Sequence, residues 1–212
     1  MLNQMLRPLS GAVIISLLLL GCTHSVELDV PIQNPPLVDA IPLTVGVYYS
    51  PELEGYECAT GKGYIFDTYV FRPGPTSIKL FDLVFSGLFD RTFRVNSRPP
   101  LTQEDQATEV VELTIAEFTG CEVGWPIVGV TTVAITYKAI IWAPTGEKVT
   151  SWDGWGIADS SDIEVGFSET AHLEAVTAIA MREAAADFIV EFHKNSGIKA
   201  WLESRGVSRD VR

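Results

Sequence analysis

Three cysteines, three histidines and one cluster of carboxylates are the side chains through which this 212-residue chain could do covalent, metal or proton chemistry. Paired thiols that bind zinc or exchange disulfides are usually two residues apart, and the sequence has no Cys-x-x-Cys. His172 and His193 are 21 residues apart and His24 is far upstream. With no His-Glu-x-x-His pair, no metal site is expected. Asp153, Asp159, Asp162 and Glu164 offer hard oxygen donors but lack the alternating spacing of an EF-hand, and they read as a solvated loop. Thr60-Gly61-Lys62-Gly63 has the outline of a phosphate loop. However, Gly55 is one residue too far from Gly61, and Gly63 stands where Ser or Thr would hold magnesium. A glycine-rich turn is the expectation there. No Gly-x-Ser-x-Gly elbow surrounds a serine. The chain is therefore expected not to be an enzyme, with no catalytic residue and no cofactor beyond what Cys22 carries.

Cys22 has a different setting. Arg7 is followed by an apolar run from Leu9 to Leu20, interrupted by Ser10, Gly11 and Ser16, and then by Gly21-Cys22. A basic start, an apolar middle and a small residue at the cut describe a secretory signal over residues 1–21. A spanning helix must cross a hydrocarbon core about 30 Å thick. Leu9 to Leu20 reaches about 18 Å as a helix, so spanning is excluded. The ending Leu19-Leu20-Gly21-Cys22 resembles the lipobox of bacterial lipoproteins. That resemblance implies cleavage before Cys22, a thioether-linked diacylglycerol on its sulfur and an acyl chain on its amine. Several acyl chains hold where one holds marginally, because each buried CH₂ contributes about 0.8 kcal/mol. Thr23 and His24 are not acidic, which resembles lipoproteins sent to the periplasmic face of the outer membrane.

Without Arg7, 14 basic side chains face 27 acidic ones, a formal charge of −13. Such a chain cannot replace the counterions of a phosphate backbone, so nucleic acid is excluded as a sequence-independent partner. It is not drawn to an anionic bilayer by charge either. Solubility is the simplest reading of the acidity. Cys58 and Cys121 are the cysteines left over in an exported domain. A disulfide between them is favoured over two buried thiols, since both lie in polar, glycine-rich stretches. In the chain-entropy view such a loop contributes about 4 kcal/mol.

Residues 22–42 hold Pro31, Pro35, Pro36 and Pro42 and read as an extended tether. A single domain is expected over 43–196, followed by a peripheral tail over 197–212. Within the domain, Leu43 to Tyr49 is strand-like and Pro51 to Lys62 loop-like. Gly63 to Phe71 is a second short strand, closed by Pro73-Gly74-Pro75. Thr76 to Asp90 repeats its apolar residues at three and four and predicts a buried helix, capped by Thr76 or Ser77. A short strand over Arg91 to Asn96 follows. Val110 to Phe118, Thr131 to Trp142 and Lys148 to Ile157 alternate as a three-stranded antiparallel meander, with Val111, Leu113 and Ile115 opposite Glu112, Thr114 and Ala116. Glu169 to Lys194 predicts a long helix whose inner stripe is Leu173, Val176, Ala180, Ala184 and Phe188, closed by Asn195-Ser-Gly197. The fold class is α+β: a mixed, largely antiparallel sheet with two helices packed on one face. Trp152-Asp-Gly-Trp155-Gly156 at a strand end offers an aromatic partner-binding surface, unless one tryptophan packs beneath a helix.

The run Val45-Gly-Val-Tyr-Tyr49, the Leu80 to Phe89 helix, Ala134-Ile-Thr-Tyr137, Pro144-Thr-Gly146, Trp152-Asp-Gly-Trp-Gly156 and Ala178-Ile-Ala-Met-Arg182 together resemble auxiliary and assembly lipoproteins of the Gram-negative envelope. TolB amino-terminal-like and ABC-transport auxiliary lipoproteins are of this kind. The resemblance implies docking onto an envelope protein rather than catalysis, and it carries over no catalytic residue. Two classes of function follow. A protein-interaction module would expose an apolar patch or a free sheet edge. A carrier of a lipid or small hydrophobic ligand would enclose an apolar pocket.

Overall fold

The computed structural model describes residues 23–26, 28, 30, 38–59, 68–100, 109–121, 132–162 and 169–207. Its main sheet is built from β2 (Ile41–Tyr49), β5 (Phe89–Arg94), β6 (Glu109–Phe118), β7 (Thr132–Trp142) and β8 (Lys148–Asp159), in the order β5-β2-β6-β7-β8. β2 lies parallel to both β5 and β6, while β6, β7 and β8 form the antiparallel meander that their alternation predicts. The sheet is therefore mixed, and its helices α2 (Pro73–Leu88) and α3 (Glu169–Lys194) cover one face.

That face is filled by rings. Phe81 stands 4.6 Å from Tyr137 and 4.9 Å from Phe188, centroid to centroid, and Trp152 stands 4.8 Å from Phe188 and 5.2 Å from Phe192. Three of these pairs are edge-to-face and Trp152–Phe188 is tilted; aromatic pairs of this kind add roughly 0.5–1.5 kcal/mol each beyond the area they bury. From β7, Val133, Ile135, Tyr137, Ala139 and Ile141 are all fully buried, as strict alternation requires. The Tyr137 hydroxyl meets Ser77 Oγ at 2.8 Å, and Ser77 spends its own proton on the Pro73 carbonyl at 2.6 Å. Tyr137 is therefore the donor, and burial pushes its hydroxyl well above the usual tyrosine range.

α3 has the bounds its sequence predicts, and its inner stripe is buried from Leu173 to Phe188. The helix backbone comes down onto β8 because β8 offers glycine there. A Cβ on Gly154 would lie 2.5 Å from the Phe188 Cα, and one on Gly156 would lie 2.2 Å from the Ala184 nitrogen. Gly154 beneath the Phe188 backbone, and Gly156 beneath Ala180 and Ala184, set this spacing.

Four expectations are corrected. α2 begins at Pro73, not Thr76: Pro73 occupies the first turn, where its missing N–H costs nothing, and neither Thr76 nor Ser77 is its cap. Inside the stretch read as loop, Pro51–Glu54 forms the short helix α1. Ser50 Oγ caps it by accepting from the Leu53 N–H at 3.2 Å. The C-terminal tail is not peripheral. Asn195 stops α3 and starts α4 (Ser196–Ser204), its side chain accepting from the Gly197 and Ile198 N–H groups. That helix buries Ile198, Trp201 and Leu202 in the main core.

Nor does the segment read as a tether stand free of the domain where it is described. β1 (Thr23–Val26) pairs in parallel with β4 (Thr68–Phe71), which also pairs with β3 (Cys58–Ala59), giving a second sheet of order β1-β4-β3. Leu28, Val30 and Val38 pack against the main core, and Thr76 Oγ1 donates to the Leu28 carbonyl at 2.9 Å. The described part of this segment is laid along the domain rather than held off it, because its sparse apolar residues find places there.

Candidate interaction surface

The strand β8 sorts the two predicted partner-binding tryptophans by parity. Trp152 points to the helices and is 3% exposed, in contact with Phe188 and Phe192. It is a core residue, and its assignment to a partner surface is withdrawn. Trp155 points to the opposite face and is 52% exposed, with Ile157 beside it at 44%. Across the ladder, Trp155 faces Thr136 and Ile157 faces Ala134 on β7, so the two large side chains stand on a floor of small ones.

β8 is also an edge strand, and its outer backbone groups are partly occupied from α3 and from Asn195 just after it. The Trp155 N–H donates to Asp187 Oδ2 at 3.0 Å, and the Ser151 carbonyl accepts from Asn195 Nδ2 at 3.3 Å. Such contacts blunt an edge against strand addition and fix the backbone from which Trp155 projects. Val190, one turn beyond Asp187 on α3, is 46% exposed, and Val149 on β8 is 39% exposed.

The face of the sheet away from the helices also holds a buried charge that alternation does not foresee. Alternation places Glu112 with Thr114 and Ala116 on the face opposite Val111 and Leu113, and there it is fully buried. Arg98 Nε donates to its carboxylate at 2.8 Å and Trp142 Nε1 at 2.9 Å. Val95 and Val110, with Tyr48, Phe93 and Trp142, form a small apolar cluster beside it. On the helix side, Glu109 is equally buried and pairs with Arg205, just after α4.

A third polar group ties β2, α2 and β5 together. The Tyr49 hydroxyl donates to Asp82 Oδ1 at 3.0 Å, Arg94 Nη2 donates to Asp82 Oδ2 at 2.7 Å, and the Arg94 guanidinium lies 4.6 Å above the Tyr49 ring. Burial, then the Asp82 charge, raises the Tyr49 hydroxyl far above its ordinary value. Asp82 and Arg94 rim a surface cleft of about 260 Å³ that also touches Val47, Phe85, Thr92 and Phe93. Both Asp82 oxygens and the tyrosine proton are engaged, so the group acts as a polar staple between these elements. Nothing in sequence marks it, since Tyr49 and Asp82 are 33 positions apart.

The remaining sequence candidates are dispersed. Asp159 accepts from the Ser161 N–H at 3.1 Å in its own turn, while Asp153 lies on β8 opposite Lys138. Glu164 and the Thr60–Gly63 turn lie outside the described residues, as do residues 1–22 with Cys22. Among the described residues, no group of three His, Cys, Asp or Glu side chains could hold a metal ion. Cys58 is half-buried on β3 and its side chain is not free. The Cys121 side chain lies outside what the structure describes, so the Cys58–Cys121 pairing does too.

No family model and no curated protein matches the chain. Solved structures do. Protein XCC0632 from Xanthomonas campestris, of the family DUF330, aligns with a TM-score of 0.52 at 12% identity, over 87% of this chain and 99% of its own. What the two share is the fold. A candidate lipoprotein from Caulobacter crescentus aligns at 0.40 with 13% identity, over 72% of this chain and 93% of its own. Lipoprotein GNA1162 from Neisseria meningitidis aligns at 0.34 with 15% identity, over 68% and 99%.

Proposed function

We propose that the chain is a bacterial envelope lipoprotein, acylated on Cys22, whose domain is a non-catalytic interaction module in an envelope transport or outer-membrane assembly system. The observation that carries the interaction reading is the exposed pair Trp155 and Ile157 on the helix-free face of an edge strand. Tryptophan is the residue type that most often dominates a binding interface, and here its ring is held on an anchored backbone. The anchor reading rests on Leu19-Leu20-Gly21-Cys22 after an apolar run too short to span. The carrier alternative is weaker. Among the described residues, rings in edge-on and tilted contact pack between helices and sheet, and a surface cleft is rimmed by the Asp82–Arg94 pair. The residues after the acylated cysteine fit the outer membrane, with the domain on its periplasmic side.

Export also fits a Cys58–Cys121 disulfide. Cys58 lies opposite Phe71 on β4, and the Phe71 ring is 5.9 Å from Phe118, three residues before Cys121. Alkylation mass spectrometry with and without reductant tests this pairing. The interaction module is tested by photo-crosslinking in intact cells, with probes at Trp155 and Ile157 and a control at Lys199 on α4. One envelope protein captured reproducibly from the first two positions alone supports it. Capture of lipid, or of nothing from either probe, overturns it in favour of the carrier. Fatty-acid labelling that survives Cys22→Ala would overturn the anchor.

A further inference from the structure

We infer that β1 fastens the lipid anchor to the domain, so that the rim formed by the start of β1, the end of β3 and the start of β4 lies against the membrane headgroups. The inference rests on the proposed acylation of Cys22. Thr23, the next residue, already pairs with Thr68, and the register runs on to Val26 opposite Phe71. β1 also touches α3, and Leu28, Val30 and Val38 keep the following chain on the core. The magnitudes separate two arrangements. A free segment from Thr23 to Pro42 could hold the domain as much as about 60 Å away when extended. A chain whose first residue after the anchor is already in a strand leaves one Cα–Cα step, about 3.8 Å, between the lipidated residue and the folded domain.

The chemistry of that rim suits its place. Thr23, Ser25 and Ala59 are exposed, Thr68 is half-buried, and none of the four carries a charge. The charged pair of this sheet, Arg72 with Glu57, is at the other end, beyond the Cys58–Phe71 partners. A mature chain of net charge −13 is repelled as a whole by anionic headgroups. Among the described residues, those at the tethered end add nothing to that repulsion.

The test uses the acylated full-length mature chain in phosphatidylethanolamine–phosphatidylglycerol vesicles, with a genetically encoded fluorescent amino acid at Ala59 and an acceptor dye on a fraction of the headgroups. Energy transfer should be strong. It should fall several-fold when ten Gly/Ser residues, with an r.m.s. span of about 17 Å, are inserted between Cys22 and Thr23. Weak transfer that the spacer leaves unchanged, in protein that still floats with the vesicles, overturns the fastening while leaving the anchor intact. Wild-type protein that fails to float, or a Cys22→Ala chain that floats equally well, overturns the anchor and this inference with it.

Discussion

Trp152 and Trp155 are three residues apart on one strand, yet one is 3% exposed and the other 52%. The even-numbered face of β8 is Trp152, Gly154 and Gly156, pressed onto α3; the odd-numbered face is Asp153, Trp155 and Ile157, turned away from it. The period of two decides which residues share a face. Which face becomes core depends on where the helix backbone can approach, and the two glycines grant that approach on one side. The same sequence motif thus contributes stability through one tryptophan and leaves the other available to a partner.

This contrast can be broken by substitution, and the expected effects differ in size. Trp152→Ala should destabilise the fold by about 3–5 kcal/mol, since it empties a site walled by Phe188 and Phe192. A urea midpoint close to wild type would show that α3 does not bear on β8 as described. Gly156→Ala should cost about 1–3 kcal/mol, because the added methyl meets the α3 backbone, which cannot rotate aside. Equal or higher stability in thermal unfolding would mean that the helix stands farther off.

A smaller effect is expected from pH. Tyr49 and Tyr137 both have hydroxyls raised above the ordinary tyrosine value of about 10. The unfolded chain gives up these protons first, so above about pH 10 the folded state binds more protons and stability falls as pH rises. Below that value their contribution is constant. Ultraviolet titration should show Tyr49 and Tyr137 remaining protonated until the protein unfolds; ionisation of all six tyrosines in the folded state would contradict the burial of these two hydroxyls. The smallest effect on stability belongs to Trp155→Ala, within about 0.5 kcal/mol of wild type, although capture of the partner should be lost. A loss of stability as large as that of Trp152→Ala would place Trp155 in the core and remove the proposed surface.

The mixed α+β class, the meander β6-β7-β8, the bounds of α3 and its inner stripe were all legible from periodicity, because each is encoded by neighbours along the chain. So was the choice between two roles for the tryptophans, though not which tryptophan takes which. The parallel pairing of β2 with β5 and β6, the folding of β1 onto β4 and the docking of α4 were not legible. Each depends on a partner dozens of residues away, and a short polar strand or a nine-residue helix has too weak a local pattern to announce that partner. Glu112 shows the limit most clearly: alternation gave its face correctly, but Arg98 and Trp142, which enclose its charge, come together only when the sheet is built. By itself the sequence determined the α+β class, the period of each long element and the side chains that share a face. The tertiary structure decided which of those faces meet, because long-range packing sets burial, and burial separates a core tryptophan from an exposed one.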